Sequence, residues 1–200
     1  MSPLQIVLHP HPALRWKSKD VTRIDPQLKD WVRQMFKLMY EARGIGLAAN
    51  QVALPYRLFV INPAGDPEQP EYEQVFINPE ILRRNGSSEA EEGCLSLPEI
   101  FGPVNRAERI VVEAYDVDGR QRRMELDGMD ARVVQHENDH LDGVMFTEKV
   151  SNDTLNELQP QLDDLASQFA NAQKDGRMAS NEQLTEKLKQ FEAERTSQPG

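Results

Sequence analysis

The stretch Gln135-His136-Glu137-Asn138-Asp139-His140-Leu141-Asp142-Gly143 constrains this chain more than any other. Two of the chain's four histidines stand here, at positions i and i+4. An α-helix puts such a pair on one face, one turn apart. Two imidazoles so placed can grip one metal ion, and Glu137 beside them is a candidate acid/base. Asp130 is placed to cap the helix N-terminus, and Gly143 suits a left-handed stop at the other end. A His-Glu-x-x-His string also arises by chance on a solvated surface helix. The motif therefore needs a partner elsewhere in the chain.

Two hundred residues suffice for one domain with an appendage and a real hydrophobic core. The net charge of −10 argues against a dedicated nucleic-acid binder, because a phosphate-binding protein usually carries a basic face. No basic region followed by a long apolar run opens the chain, and no stretch reaches membrane-spanning length. The expectation is therefore a protein with no membrane partner. A single cysteine, Cys94, rules out an internal disulfide and fits a reducing, cytoplasmic location.

Residues 1–24 read as an irregular arm, since His9-Pro10-His11-Pro12 cannot lie inside a helix. His9 and His11 have no acidic or thiol neighbour in sequence and read as loop histidines. Residues 25–43 form the first helix, with Asp25 as N-cap, Pro26 in the first turn and Gly44 as the stop. Its Met and aromatic stripe is core packing. Gly44-Ile45-Gly46-Leu47-Ala48-Ala49-Asn50-Gln51-Val52 follows, and its small residues allow another backbone or a ligand to approach closely. Gln51 is the one long polar side chain in it. It is either an ordinary satisfied amide or a neutral donor to a developing oxyanion, and this segment alone favours the first reading slightly.

Strands are expected at 57–61, 74–82, 110–116 and 121–126, with a tight turn at Asp118-Gly119. Pro63 to Tyr72 reads as a surface loop. Beyond Phe146, Leu155, Leu158, Leu162, Leu165 and Phe169 mark an amphipathic helix, in which Pro160 makes a kink or a new first turn. Ser180 and Gln183 resemble a capping box that opens a second helix. The last five residues look disordered. From Ser151 on there are five basic and nine acidic residues, a net charge of −4. The expected organisation is a catalytic domain over residues 1–150 and a C-terminal helical extension over 151–200.

Cys94 is the partner the histidines need. A lone cysteine is usually a small buried hydrophobe. Here Gly93 and Leu95 flank it, just after Glu91 and Glu92. One thiolate and two imidazoles make three protein ligands and leave a tetrahedral position open, the mark of a catalytic site. Such an ion lowers the pKa of bound water from ~15.7 toward ~7. Glu137 can take that proton and later pass it to a leaving amine.

Three segments together resemble the peptide deformylases: Gly44-Ile45-Gly46-Leu47-Ala48-Ala49-Asn50-Gln51, Glu92-Gly93-Cys94-Leu95-Ser96, and Gln135-His136-Glu137-Asn138-Asp139-His140-Leu141. They match the three signature motifs of that family in order. The likeness runs more loosely from residue 1 to about 150. The resemblance implies a hydrolase that removes the N-formyl group from the initiator methionine of new polypeptides and releases formate. It implies Cys94, His136 and His140 as ligands of one divalent ion, and Glu137 as the acid/base. Gln51 and the backbone N–H of Leu95 match the pair that holds the formyl oxygen. Ile45 and Gly46 match the rim that binds substrate main chain in extended form. Fe²⁺ is the family's usual ion, with Zn²⁺ or Ni²⁺ as replacements in a purified sample.

The implied partners are N-formylmethionyl nascent peptides, with the ribosome near the tunnel exit as a further candidate. Family members that dock there use a basic C-terminal helix, and this appendage is acidic, so that contact is expected to be altered or absent. A tight rim of Gly44 and Gly46 suits formyl, the smallest acyl group. Ile45 and Val133, with Met129 as a third candidate, are placed to line a methionine pocket. Arg43 and Arg132 are candidates to narrow or charge its entrance. Glu92 is expected to pair with Arg106 and so hold the cysteine strand. The implied fold is α+β, with antiparallel strands packed around the metal-binding helix. The competing readings are a zinc peptidase, which needs a third ligand downstream of His140, and a non-catalytic metal-binding module.

Overall fold

The structure, a computed structural model, describes residues 3–196. Of the five tail residues expected to be disordered, Thr196 ends the last helix and 197–200 lie outside the described residues. Helix α1 spans Pro26–Glu41, and Asp25 caps it by accepting the Leu28 N–H at 2.9 Å. It ends two residues short of the expected boundary. Arg43, with φ 57°, takes the left-handed position, and the Gly44 N–H bonds the Met39 carbonyl at 2.8 Å. Gly44 is small for another reason: a Cβ there would stand 2.6 Å from Leu95 Cδ1.

Seven strands follow: β1 Gly46–Ala48, β2 Leu58–Ile61, β3 Gln74–Asn85, β4 Ser88–Cys94, β5 Leu97–Arg106, β6 Arg109–Tyr115 and β7 Gln121–Asp127. Five of them form one antiparallel sheet in the order β1-β2-β3-β6-β7, and β4–β5 is a separate hairpin. Helix α2, Gly128–Leu141, carries the histidines. β2 is buried on both faces, which explains its unbroken apolar run. Leu58 and Val60 pack toward Trp31, Met35 and Met39 of α1. Phe59 and Ile61 face Val133, Val134 and Leu141 of α2. Phe59 stacks on Phe76 at 4.7 Å between centroids, a pairing worth about 0.5–1.5 kcal/mol beyond its buried area. The result is the expected α+β arrangement, with the helix that carries His136 and His140 lying across an antiparallel sheet.

Asp130 does not cap α2. The helix begins two residues earlier, at Gly128, so Asp130 falls in its first turn. Gly143 (φ 75°) does supply the left-handed stop. The hairpin β4–β5 had no clear signal in the sequence. Its first strand exposes four of seven residues, and the second is interrupted by two prolines and a glycine.

Helix α3, Asn152–Lys174, is one helix with Pro160 inside it; no new helix begins there. Its leucines cover Leu97, Ile100 and Val104 of the hairpin. Ser180 and Gln183 exchange the expected capping-box bonds, at 3.3 and 3.0 Å, and open α4, Asn181–Thr196. Both helices pack back onto the body. Arg195 is buried, lies 4.5 Å over the Trp31 ring, and donates to Asp25 Oδ1 at 2.7 Å.

The arm of residues 3–24 runs beside this extension. His11 Nδ1 accepts the Ala13 N–H at 3.1 Å and caps the 3-10 turn Pro12–Arg15, while its ring meets Phe169 edge-on at 6.2 Å. Burial, helped by the Lys187 charge, lowers its pKa from 6.5 to about 4. The unfolded chain therefore binds this proton first. The stability His11 confers is complete above about pH 6.5 and is lost as pH falls toward 4, on the order of 3 kcal/mol. His11→Gln is expected to flatten the fall of Tm across that window; an unchanged slope would remove His11 as its cause.

Candidate metal centre

Cys94 closes β4, and His136 and His140 lie one turn apart on α2. The sheet and hairpin bring these distant segments together, so that one donor atom from each lies within 4.8 Å of the others. Cys94 Sγ stands 3.3 Å from His140 Nε2. On a tetrahedral ion, with bonds of about 2.3 Å to sulfur and 2.0–2.1 Å to nitrogen, such donors stand about 3.5 Å apart. The separation therefore suits an ion. Among the described residues, no carboxylate joins the two histidines as a third donor.

Behind the donors lies a buried charge network. Glu92 accepts from Arg106 Nε at 2.6 Å and Nη2 at 2.8 Å, so the expected pair forms and is bidentate. Glu92 Oε2 also meets His136 Nδ1 at 2.9 Å, which leaves the other ring nitrogen of His136 to face Cys94. Burial alone would raise the Glu92 pKa, but hydrogen bonds from His136 and Arg106 hold it at about 2. Burial likewise opposes a charge on His136, yet its bonds to Cys94 and Glu92 push it up to about 10. His140, buried beside that charge, is driven well below its ordinary value.

Arg132 does not reach the pocket entrance. It is buried and donates to Glu92 Oε1 at 2.7 Å, the Val104 carbonyl at 3.0 Å and the Ser88 carbonyl at 2.6 Å. A guanidinium on this buried face has carboxylate and carbonyl partners within reach, and they hold it inside. Arg43 is exposed. Sequence reasoning missed Asp139, which accepts from Arg106 Nη1 at 2.7 Å and Lys149 Nζ at 3.1 Å, and Phe146, whose ring stacks 6.3 Å from His136. Neither carries a local signal.

Glu137 is almost fully buried. Burial raises its pKa to about 7, and its Oε2 has no hydrogen-bond partner. Gly46 lies directly against its carboxylate: a Cβ there would collide with Oε1 and stand 2.9 Å from Val133 Cγ1. Gln51 is buried and not solvated. Its Oε1 accepts the Ala48 N–H at 2.8 Å, which turns Nε2 toward Cys94 Sγ and Ser96 Oγ, each at 3.3 Å. The arm fixes both site segments from outside, with Val7 N–H bonded to the Gln51 carbonyl at 2.8 Å and His9 N–H to the Ser96 carbonyl at 3.0 Å. Ile45 is half-buried and packs with Val133 in one cluster, whereas Met129 is 53% exposed. His9 and His11 lie outside the donor group.

A thiol, two imidazoles and a buried carboxylate alongside them suit a metal-dependent hydrolase. The family model described as Polypeptide deformylase matches residues 3–156. A peptide deformylase from Rhodopirellula baltica is 42% identical over 191 residues, covering 96% of this chain and 94% of that protein. One from Chromobacterium violaceum is 45% identical over 151 residues, covering 76% of this chain and 89% of that protein. The crystal structure of the Plasmodium falciparum peptide deformylase superposes with a TM-score of 0.81 at 38% identity, covering 83% of this chain and 97% of that one. The chain belongs to the polypeptide deformylase family, enzymes that hydrolyse the N-formyl group from nascent peptides.

Proposed function

We propose that Cys94, His136 and His140 hold one divalent ion at which the formyl group of an N-formylmethionyl peptide is hydrolysed. The observation that carries this is the meeting of those three donors with the buried Glu137 carboxylate and the Gln51 amide. A bound ion would supply Lewis-acid polarisation and a water of lowered pKa. Glu137, with a pKa near 7 and an oxygen without a partner, would hold the proton that attacking water gives up and hand it to the leaving amine. Gln51 Nε2 and the Leu95 backbone N–H donate to the formyl oxygen as negative charge develops on it. Each donor of this kind is worth about 3 kcal/mol of barrier.

Gly44, Ile45 and Gly46 form the rim along which the substrate main chain lies extended, and Ile45 and Val133 wall the methionine pocket. Residues 1–150 are the proposed catalytic unit and 151–200 an extension, whose helices α3 and α4 buttress it. Fe²⁺ is the proposed ion in the cell, and Zn²⁺ or Ni²⁺ serves in a purified sample. No helix among the described residues is long and apolar enough to cross a membrane. That fits work in the cytoplasm on nascent chains. The extension is acidic, so the ribosome contact that some family members make through a basic C-terminal helix is altered or absent here.

The test is formate release from formyl-Met peptides by protein purified without oxygen, with its metal measured on the same sample. Cys94→Ala is expected to lose both the ion and formate release. Cleavage of unformylated peptides that survives Cys94→Ala would instead favour the zinc peptidase.

A further inference from the structure

Asn62 follows β2 and is wholly buried, at the root of the loop from Pro63 to Tyr72. Its Oδ1 accepts the Ala64 N–H at 3.0 Å. Its Nδ2 donates to the Asp66 carbonyl at 3.1 Å, the Gln69 carbonyl at 3.2 Å and the Tyr40 hydroxyl oxygen at 2.8 Å. Those carbonyls can only accept, so the nitrogen must face them. Tyr40 passes its own hydrogen to Glu73 Oε1 at 2.8 Å. Both limbs of the loop and helix α1 therefore meet at one amide.

The same residue touches the rim of the site. The Asn62 N–H donates to the Ile45 carbonyl at 2.9 Å, and the Gly65 N–H returns to the Asn62 carbonyl at 2.9 Å. Gly65 is left-handed at φ 64°, and its backbone lies so near Ile45 that a Cβ there would stand 3.2 Å from Ile45 Cγ2. Ile45 is thus held between the loop on one side and the cluster containing Val133, Phe59 and Ile61 on the other.

We infer that Asn62 is a positioning residue for substrate specificity: by tying the loop to Tyr40 it presses Gly65 against Ile45 and sets the depth of the pocket for the substrate's first side chain. This rests on the assignment of Ile45 to the pocket wall. With the loop released, Ile45 can retreat, and the pocket distinguishes a long side chain from a short one less sharply. Discrimination in an apolar pocket depends on such contacts, one methylene being worth about 10–200-fold.

The experiment compares kcat/KM of the metal-loaded enzyme for two formyl tripeptides that differ only in methionine or alanine at the first position. Asn62→Ala is expected to lower the Met-to-Ala ratio by about 5–10-fold, through the KM of the methionine peptide, with metal content unchanged. Tyr40→Phe keeps the ring stacked on Phe36 at 6.3 Å and removes only the hydroxyl. It is expected to lower the ratio about twofold, and it carries the test if Asn62→Ala does not fold. Ile45→Ala is the control and should lower the ratio at least as far as Asn62→Ala. A drop with Ile45→Ala but with neither loop variant would overturn the inference alone. No drop with Ile45→Ala would overturn the pocket assignment, and the inference with it.

Discussion

Replacing Glu137 by alanine is expected to cut kcat by about 10²–10⁴-fold while Tm and bound metal hold or rise. The carboxylate is buried and lacks a partner for Oε2, so the fold gains little from its charge. Its pKa near 7 shows that burial already opposes ionisation. A group so placed costs stability unless it serves the reaction. Stopped assays of formate release, with metal analysis on the same sample, separate the outcomes. A Glu137→Ala protein that still deformylates at the normal rate would remove Glu137 from the chemistry.

Removing Glu92 should damage the protein differently. Glu92→Ala leaves the buried Arg132 and Arg106 without their shared carboxylate and frees His136 to turn. Breaking a buried ion pair on one side costs about 3–5 kcal/mol. Loss of the partner that orients a metal-ligating histidine weakens metal binding by about 10–100-fold. Urea denaturation and competition with a chelator measure the two effects. Because the Glu92 pKa is depressed to about 2 from 4.5, its contribution is whole above pH 4.5 and disappears as pH falls toward 2. The Glu92→Ala protein should therefore lack the part of the acid transition that lies in that window. A variant of normal stability and normal metal affinity would mean that Arg106 and Arg132 find other partners.

The parts of this fold that were legible in sequence carry their signal locally. Asp25, Pro26 and the α1 stripe lie within a few residues of one another, as do His136 and His140. The Leu-Phe-Val-Ile run of β2 reads as buried because it is apolar on both faces. The hairpin β4–β5 is different. The side of β4 that turns inward carries Glu92, and beyond the expected Arg106 it takes the distant Arg132 and His136 to make that carboxylate a core residue. Arg132 was misread for the same reason: a charge beside a pocket helix looks like an entrance residue until its partners are known. Asn62 gave no signal at all, since an asparagine before proline and glycine is an ordinary loop opening. The donor set was recognisable from residue types and spacing, and so was the Glu92–Arg106 pair, 14 positions apart; the links from that pair to Arg132, His136 and Asp139, about 30 to 45 positions apart, were not.

Arg195 binds beneath α4 to Asp25 and Trp31, at the opposite end of the chain. Synthesis proceeds from the amino end at about 5–20 residues per second, so the arm and α1 emerge roughly 10–30 s before the helix that covers them. During that interval Trp31, Tyr56 and the arm have no lid, and the segment that packs beside Gln51 lacks part of its support. An enzyme whose clients are unfinished chains thus receives last, from α4, the side chain that covers its first helix.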